Sequence, residues 1–184
     1  SAAASWNTAA DGSGTNRTTP TTTDILVVDG TGTVPGSGGA MAITVDNSFT
    51  IGQLVVNSNT DLTLAGLTST RTLTISGSPG DDFVVASGST LNLNGATAVA
   101  IVFTGTGNTG LIAGTYNVSG STSNNVTSTG GTGTLVTVTG SVNNSLLASS
   151  GCLTGSVATL SFANGSNYTH SSFTTSNGYV PTAT

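Results

Sequence analysis

Ionic side chains are scarce in this sequence, at 5% of residues against roughly 25% in ordinary globular domains. Arg17 and Arg71 are the only strong cations, and lysine is missing altogether. With a formal net charge of −5, the chain has nothing with which to neutralise a phosphate backbone, so nucleic acid is excluded as a partner. An anionic membrane surface is excluded for the same reason. No apolar run approaches the length of a membrane-spanning helix, so membrane insertion by that route is not expected. Hydration must come from the hydroxyls and amides of Ser, Thr and Asn.

Cysteine is nearly missing too. Cys152 has no partner for an internal disulfide, and its setting in Gly151-Cys152-Leu153 reads as a small buried hydrophobe beside a strand. No His or Asn signature of a catalytic thiol accompanies it. His170 is the only histidine, which leaves no metal triad and no Ser–His–Asp relay to assemble around it. Its place two residues after Tyr168 suggests packing or a surface contact. No segment carries a helical period over ten or more residues, so the chain reads as all-β. No signal peptide is visible, and Ser1-Ala2-Ala3-Ala4 suits a mature end left by cleavage at small residues.

What the sequence does contain is a regular series of short apolar triplets between polar turns. They are Leu54-Val55-Val56, Leu62-Thr63-Leu64, Leu73-Thr74-Ile75, Phe83-Val84-Val85, Leu91-Asn92-Leu93 and Ile101-Val102-Phe103. Each points its first and third residues one way and its middle residue the other, as a strand does. Such spaced β-branched runs are foreign to low-complexity disorder. Taking every second triplet gives steps of 19 and 18 residues (Leu54, Leu73, Leu91) and of 21 and 18 (Leu62, Phe83, Ile101). Steps of 18 recur from Val118 to Val136, Leu135 to Leu153 and Val142 to Leu160. The expected fold is a parallel β-solenoid, or β-helix, with about 18–20 residues and two strands per rung. Leu54, Leu73 and Leu91 should then form one column, and seven rungs would make a rod roughly 30–35 Å long. An antiparallel β-sandwich or jelly roll is the alternative, since strands every 8–12 residues suit it as well.

The organisation follows from composition. Residues 1–23 are a polar leader in which Trp6 is the one large side chain, suited to capping the first turn. Residues 24–172 form the body, with a Gly, Thr, Ser and Asn peak over 105–133 read as a loop-rich interruption. Residues 173–184 are a tail. Trp6, Phe173, Tyr179 and Val180 are the candidates for capping or inter-subunit contacts.

Few residues invite chemistry. Asp81-Asp82 is the only adjacent pair of carboxylates, and two acids on one face of a solenoid could serve as acid and base. The pair follows Ser78-Pro79-Gly80, however, where turn composition explains it, and neighbouring strand residues face opposite sides. Asp11-Gly12-Ser13-Gly14 and Gly80-Asp81-Asp82 offer oxygens to calcium, but without the nonapeptide repeat of calcium-binding rolls. Thr-x-Thr pairs such as Thr72–Thr74 and Thr137–Thr139 could order water against ice, yet they do not recur at every rung. Asn-x-Ser/Thr sequons at Asn16, Asn117, Asn125, Asn143, Asn164 and Asn167 are candidate glycosylation sites.

Three phrases carry a resemblance: Ser5-Trp6-Asn7-Thr8, Ser87-Gly88-Ser89-Thr90-Leu91-Asn92-Leu93, and the close running from Tyr168-Thr169-His170 to Pro181-Thr182-Ala183-Thr184. Together they resemble the repetitive β-solenoid segments of large secreted Bacteroidetes surface proteins, which look like adhesins exported by the type 9 secretion route. The C-terminal sorting domain that the resemblance implies is not among residues 1–184. The resemblance and the composition together lead to the expectation of a non-enzymatic structural module of an extracellular adhesin or fibre, located outside the cell or at its surface. No cofactor is expected. Its partners would be copies of itself or flanking modules of a longer chain, with surface glycans as a further option. The alternatives are a filament subunit joined by strand complementation through its termini, and a glycan-binding or glycan-cleaving β-helix.

Overall fold

A computed structural model describes residues 6–7, 13–17, 19–30, 34, 36–77, 79–128, 132–146, 152–155 and 158–171. The leader contributes a small antiparallel pair, β1 (Trp6–Asn7) with β2 (Asn16–Arg17). The body then coils. Its first turn is β3 (Ile25–Val28), β4 (Gly39–Val45) and β5 (Phe49–Ile51). The second is β6 (Gln53–Val56), β7 (Thr60–Gly66) and β8 (Arg71–Ile75), and the third is β9 (Phe83–Val85), β10 (Thr90–Leu93) and β11 (Val99–Phe103). The fourth is β12 (Thr109–Ile112), β13 (Thr115–Val118) and β14 (Asn125–Thr127). The fifth is β15 (Leu135–Val138), β16 (Ser141–Asn144) and β17 (Leu153–Thr154), and β18 (Leu160–Phe162) with β19 (Asn167–His170) begins a sixth.

Strands that share a place in the turn stack in parallel, which gives three sheets. The first runs β3-β6-β9-β12-β15-β18, the second β4-β7-β10-β13-β16-β19, and the third β5-β8-β11-β14-β17. This is the expected parallel β-solenoid, with about five turns and about 26 residues per rung. Among the described residues there is no helix long and apolar enough to cross a membrane.

The rung length corrects the expected 18–20. Leu54 pairs with Phe83, Leu62 with Leu91, and Leu73 with Ile101, so every third triplet stacks and not every second. Leu54, Leu73 and Leu91 therefore lie in three different sheets. The physical reason is that triplets roughly nine residues apart are compatible with a turn of two strands or of three. The sequence spacing reports the strand-to-strand step, and the corners decide how many steps close the loop. Five stacking steps of about 4.8 Å give a rise of about 24 Å, shorter than a seven-rung rod.

The coil also runs through 105–133, where an interruption was expected. β12, β13 and β14 occupy that segment and pair with strands before and after them. Each needs only one or two inward apolar residues (Ile112, Tyr116, Val118, Val126), and apart from Leu111 its outward residues are Thr and Asn. A strand of that composition looks like a loop.

Inside the coil the inward residues stack rung on rung. Leu62, Leu91, Tyr116 and Val142 form one column behind the second sheet, each with no solvent exposure. Burying each such side chain contributes about 1.5–3 kcal/mol. Phe83 and Phe103 meet edge-to-face at 6.1 Å across the interior, a favoured geometry for aromatic pairs. The corner after β6 takes left-handed backbone angles at Ser58 (φ 54°) and Asn59 (φ 58°), as its Asn-rich composition suggests.

Candidate functional surfaces

In the first turns the inner layer is apolar behind all three sheets, so what distinguishes the sheets there lies on their outward columns. On the first sheet the column Val27, Val55, Val84 and Leu111 is aliphatic, then passes to Thr137 and Ser161. Ile25 and Leu135 are exposed beside it. The third sheet turns out Thr50, Thr74, Val102, Thr127 and Thr154. Here Thr72–Thr74 stacks on Ala100–Val102, so a continuous Thr-x-Thr array is not formed.

The second sheet is the most regular. One outward column is Thr63, Asn92, Asn117, Asn143 and Thr169, and beside it run Asp61, Thr90, Thr115, Ser141 and Asn167. The asparagines form a directed ladder. Asn143 Nδ2 donates to Asn117 Oδ1 at 2.8 Å, and Asn117 Nδ2 donates to Asn92 Oδ1 at 2.8 Å. Asn92 Nδ2 donates to the Asp61 carboxylate, which ends the chain of bonds. Bonds aligned in this way polarise one another. Asn117 and Asn143 each keep a second N–H beyond the one given to the rung below, whereas Asn92 Nδ2 also reaches Leu62 O at 3.3 Å and Thr63 Oγ1 at 3.4 Å. The sequence signal for this face is the phrase Thr/Ser-x-Asn at residues 90–92, 115–117 and 141–143, recurring every 25 or 26 residues. A search for Thr-x-Thr misses it.

Of the candidate glycosylation sites, Asn117 and Asn143 come together in this ladder, with their side-chain nitrogens already engaged. Asn125 lies in β14 on the third sheet, where its Oδ1 accepts from Thr127 Oγ1 at 3.4 Å. Asn16 is in β2. Asn164, in the turn before β19, and Asn167, at the start of that strand, are exposed. Among the candidate capping residues, Trp6 pairs by its backbone with Arg17 in the leader hairpin. Phe173, Tyr179 and Val180 lie outside the described residues.

The corners hold most of the remaining polar chemistry. Asp82 is buried, accepting from the Thr109 backbone N–H at 2.9 Å and from Gln53 Nε2 at 3.5 Å. Asp81 is exposed and accepts from Thr109 Oγ1 at 2.9 Å. The two carboxylates thus stand in different surroundings, each bound to the next rung. Asn124, fully buried, is a pin that sequence reasoning did not reveal. Its Oδ1 accepts from the Val99 N–H at 2.9 Å, and its Nδ2 donates to Gly95 O at 3.0 Å and Ser119 O at 2.7 Å.

Cys152 is buried, as its apolar setting suggests. Burial pushes its thiol up to about 12, while a hydrogen bond with Tyr168 pulls the other way. Only a thiolate is a competent nucleophile, so this sulfur is held in its inert form at neutral pH. Tyr116 donates its hydroxyl to Cys152 O at 2.8 Å, and burial raises that phenol well above its ordinary value. Nearby, Asn144 Nδ2 donates to the Tyr168 hydroxyl at 3.1 Å, and that hydroxyl lies 3.4 Å from His170 Nδ1. These groups replace aliphatic neighbours in the inner column Ile43, Leu64, Leu93, Val118, Asn144 and His170. The core of the last turns is therefore more polar than that of the first. No group of three or more His, Cys or Asp side chains among the described residues could hold a metal ion.

No protein-family model, curated protein or solved structure matches the chain.

Proposed function

We propose that this chain is a non-enzymatic structural module of an extracellular adhesin or fibre, working as a stiff, protease-resistant β-rod. The observation that carries the reading is the unbroken parallel register of three sheets, in which each rung is hydrogen-bonded to the next at strands and at corners. Bending such a rod opens many backbone bonds at once, and its neutral hydroxyl and amide surface stays hydrated without charges. The resemblance to secreted Bacteroidetes surface segments supports the location. Antibody against the folded module should label intact cells of the producing organism, and brief proteolysis of those cells should remove the label. Antigen confined to the soluble interior would end the reading.

A second reading is favoured by the Thr/Ser-x-Asn face of the second sheet. Its Thr/Ser-x-Asn pairs recur on three successive rungs, about 4.8 Å apart, which suits a neutral polysaccharide lying along the axis. A polyanion would be repelled by Asp61 and by the net charge. Native gels containing a soluble neutral β-glucan should retard the protein, and Asn117→Ala should reduce the retardation. Equal mobility with and without the polysaccharide would remove this reading.

A further inference from the structure

We infer that Asn164 is a site of spontaneous deamidation, converting with time to aspartate and isoaspartate, and that the fold protects the chemically equivalent Asn94. Both asparagines precede glycine, in Asn94-Gly95 and Asn164-Gly165; a third such pair, Asn177-Gly178, lies outside the described residues and is followed as its own peptide. Glycine has no Cβ to obstruct its own amide nitrogen, so such a pair is the easiest place for the backbone to attack a side-chain amide. The Gly165 nitrogen, after giving its proton to hydroxide, attacks Cγ of Asn164. An N–Cγ bond forms, the Cγ–Nδ2 bond breaks, and Nδ2 leaves as ammonia with a proton from water. Water then opens the five-membered ring at either carbonyl. Net, one water enters and one ammonia departs, with no change in oxidation state.

The two sites differ in what holds them. Asn164 is exposed in the turn between β18 and β19, and its side chain makes no hydrogen bond among the described residues. Gly165 stands at φ +86°, and a Cβ built there would meet nothing within 4 Å. This turn is closed only by Ser166, whose N–H and Oγ donate to Ala163 O at 3.1 Å and 2.8 Å, and no other rung crowds the Gly165 nitrogen. Asn94 is also exposed, but its glycine is clamped by the next rung. Gly95 O accepts from Asn124 Nδ2 at 3.0 Å and from the Ser121 N–H at 3.2 Å. A Cβ at Gly95 would lie 2.8 Å from both Ala65 Cβ and Thr97 O, so the peptide there has no room to rotate.

The change has consequences on this surface. It adds a negative charge to a chain already at −5, and it destroys the Asn164-Gly165-Ser166 sequon. Deamidation and glycosylation therefore compete for the same Nδ2.

The test is to incubate the purified full chain in mildly alkaline buffer at body temperature and to follow amide-to-acid conversion by peptide mapping, with isoaspartyl methyltransferase labelling to mark the isomerised product. Folded protein should convert at Asn164 many times faster than at Asn94, and Asn164→Gln should abolish that signal. In strong denaturant the two sites should react at similar rates. Equal rates in the folded chain, or an unreactive Asn164, would overturn the inference. So would an Asn94 that stays slow when unfolded, because its protection would then not come from the clamp.

Discussion

The first and second sheets rest on the same kind of inner layer and differ in what they turn outward. Behind one lie Leu54, Phe83 and Val136, and behind the other Leu62, Leu91 and Val142, all buried. Outward, the first shows Val27, Val55, Val84 and Leu111, and the second a ladder from Asn143 to Asp61. The fold is thus specified from inside, by apolar columns and pinned corners. The outer columns are left free to carry surface properties.

Unequal inner layers would show most strongly in stability. Phe83→Ala should cost about 3–5 kcal/mol and Leu91→Ala about 2–5 kcal/mol in denaturant unfolding, although one lies behind an aliphatic face and the other behind a polar one. A loss confined to one of them would mean that a single sheet holds the solenoid.

An alkaline titration separates the two sides next. Behind the second sheet lies Tyr116, bonded to the backbone of Cys152, and burial raises the pKa of both groups. The unfolded thiol ionises near pH 8.5–9 and the folded one near 12, so the unfolded state loses its proton first. Stability should hold in full below about pH 8.5 and fall as pH rises toward 12, by up to about 4 kcal/mol if the whole thiol shift is expressed. Denaturation midpoints across that range check it. Cys152→Ala should remove the fall between about pH 8.5 and 10 and leave the part above about pH 10 that Tyr116 contributes, whereas Val84→Thr on the first sheet should leave the whole fall unchanged.

Asn124→Ala removes a pin at the corner joining the second and third sheets. It strands the Val99 N–H and two carbonyls, at a cost of about 2–3 kcal/mol in thermal or urea unfolding. The outer columns should respond least. Asn117→Ala interrupts the ladder and should cost about 1 kcal/mol. Val84→Thr, still β-branched and still outward, should change stability by less than about 0.5 kcal/mol in the same unfolding measurement.

Much of this architecture is legible in the chain. Triplets such as Leu91-Asn92-Leu93 announce strands with one buried face, and their steady spacing announces a coil. Asn57-Ser58-Asn59 marks a left-handed corner, and the apolar setting of Cys152 marks it as buried. The number of strands per turn is not legible, because Leu54-to-Leu73 and Leu54-to-Phe83 are both whole multiples of the same step. Nor is the role of Asn124, which looks like one more polar residue in Ser123-Asn124-Asn125 until Val99, Gly95 and Ser119 surround it. The ladder face escaped for a related reason. Its members lie a full rung apart, and the rung length has to be known before they line up.

A cross-link reads that rung length in solution. Asn92 and Asn117 are register partners on adjacent rungs, 25 residues apart, and parallel neighbours at about 4.8 Å fall within disulfide range. With Cys152→Ala removing the native thiol, the pair Asn92→Cys and Asn117→Cys should oxidise to a monomeric disulfide in high yield. The pair Thr74→Cys and Asn92→Cys, 18 residues apart on different sheets, should remain reduced. Efficient bridging of Thr74→Cys to Asn92→Cys, with none between the first pair, would contradict a solenoid of three strands per turn.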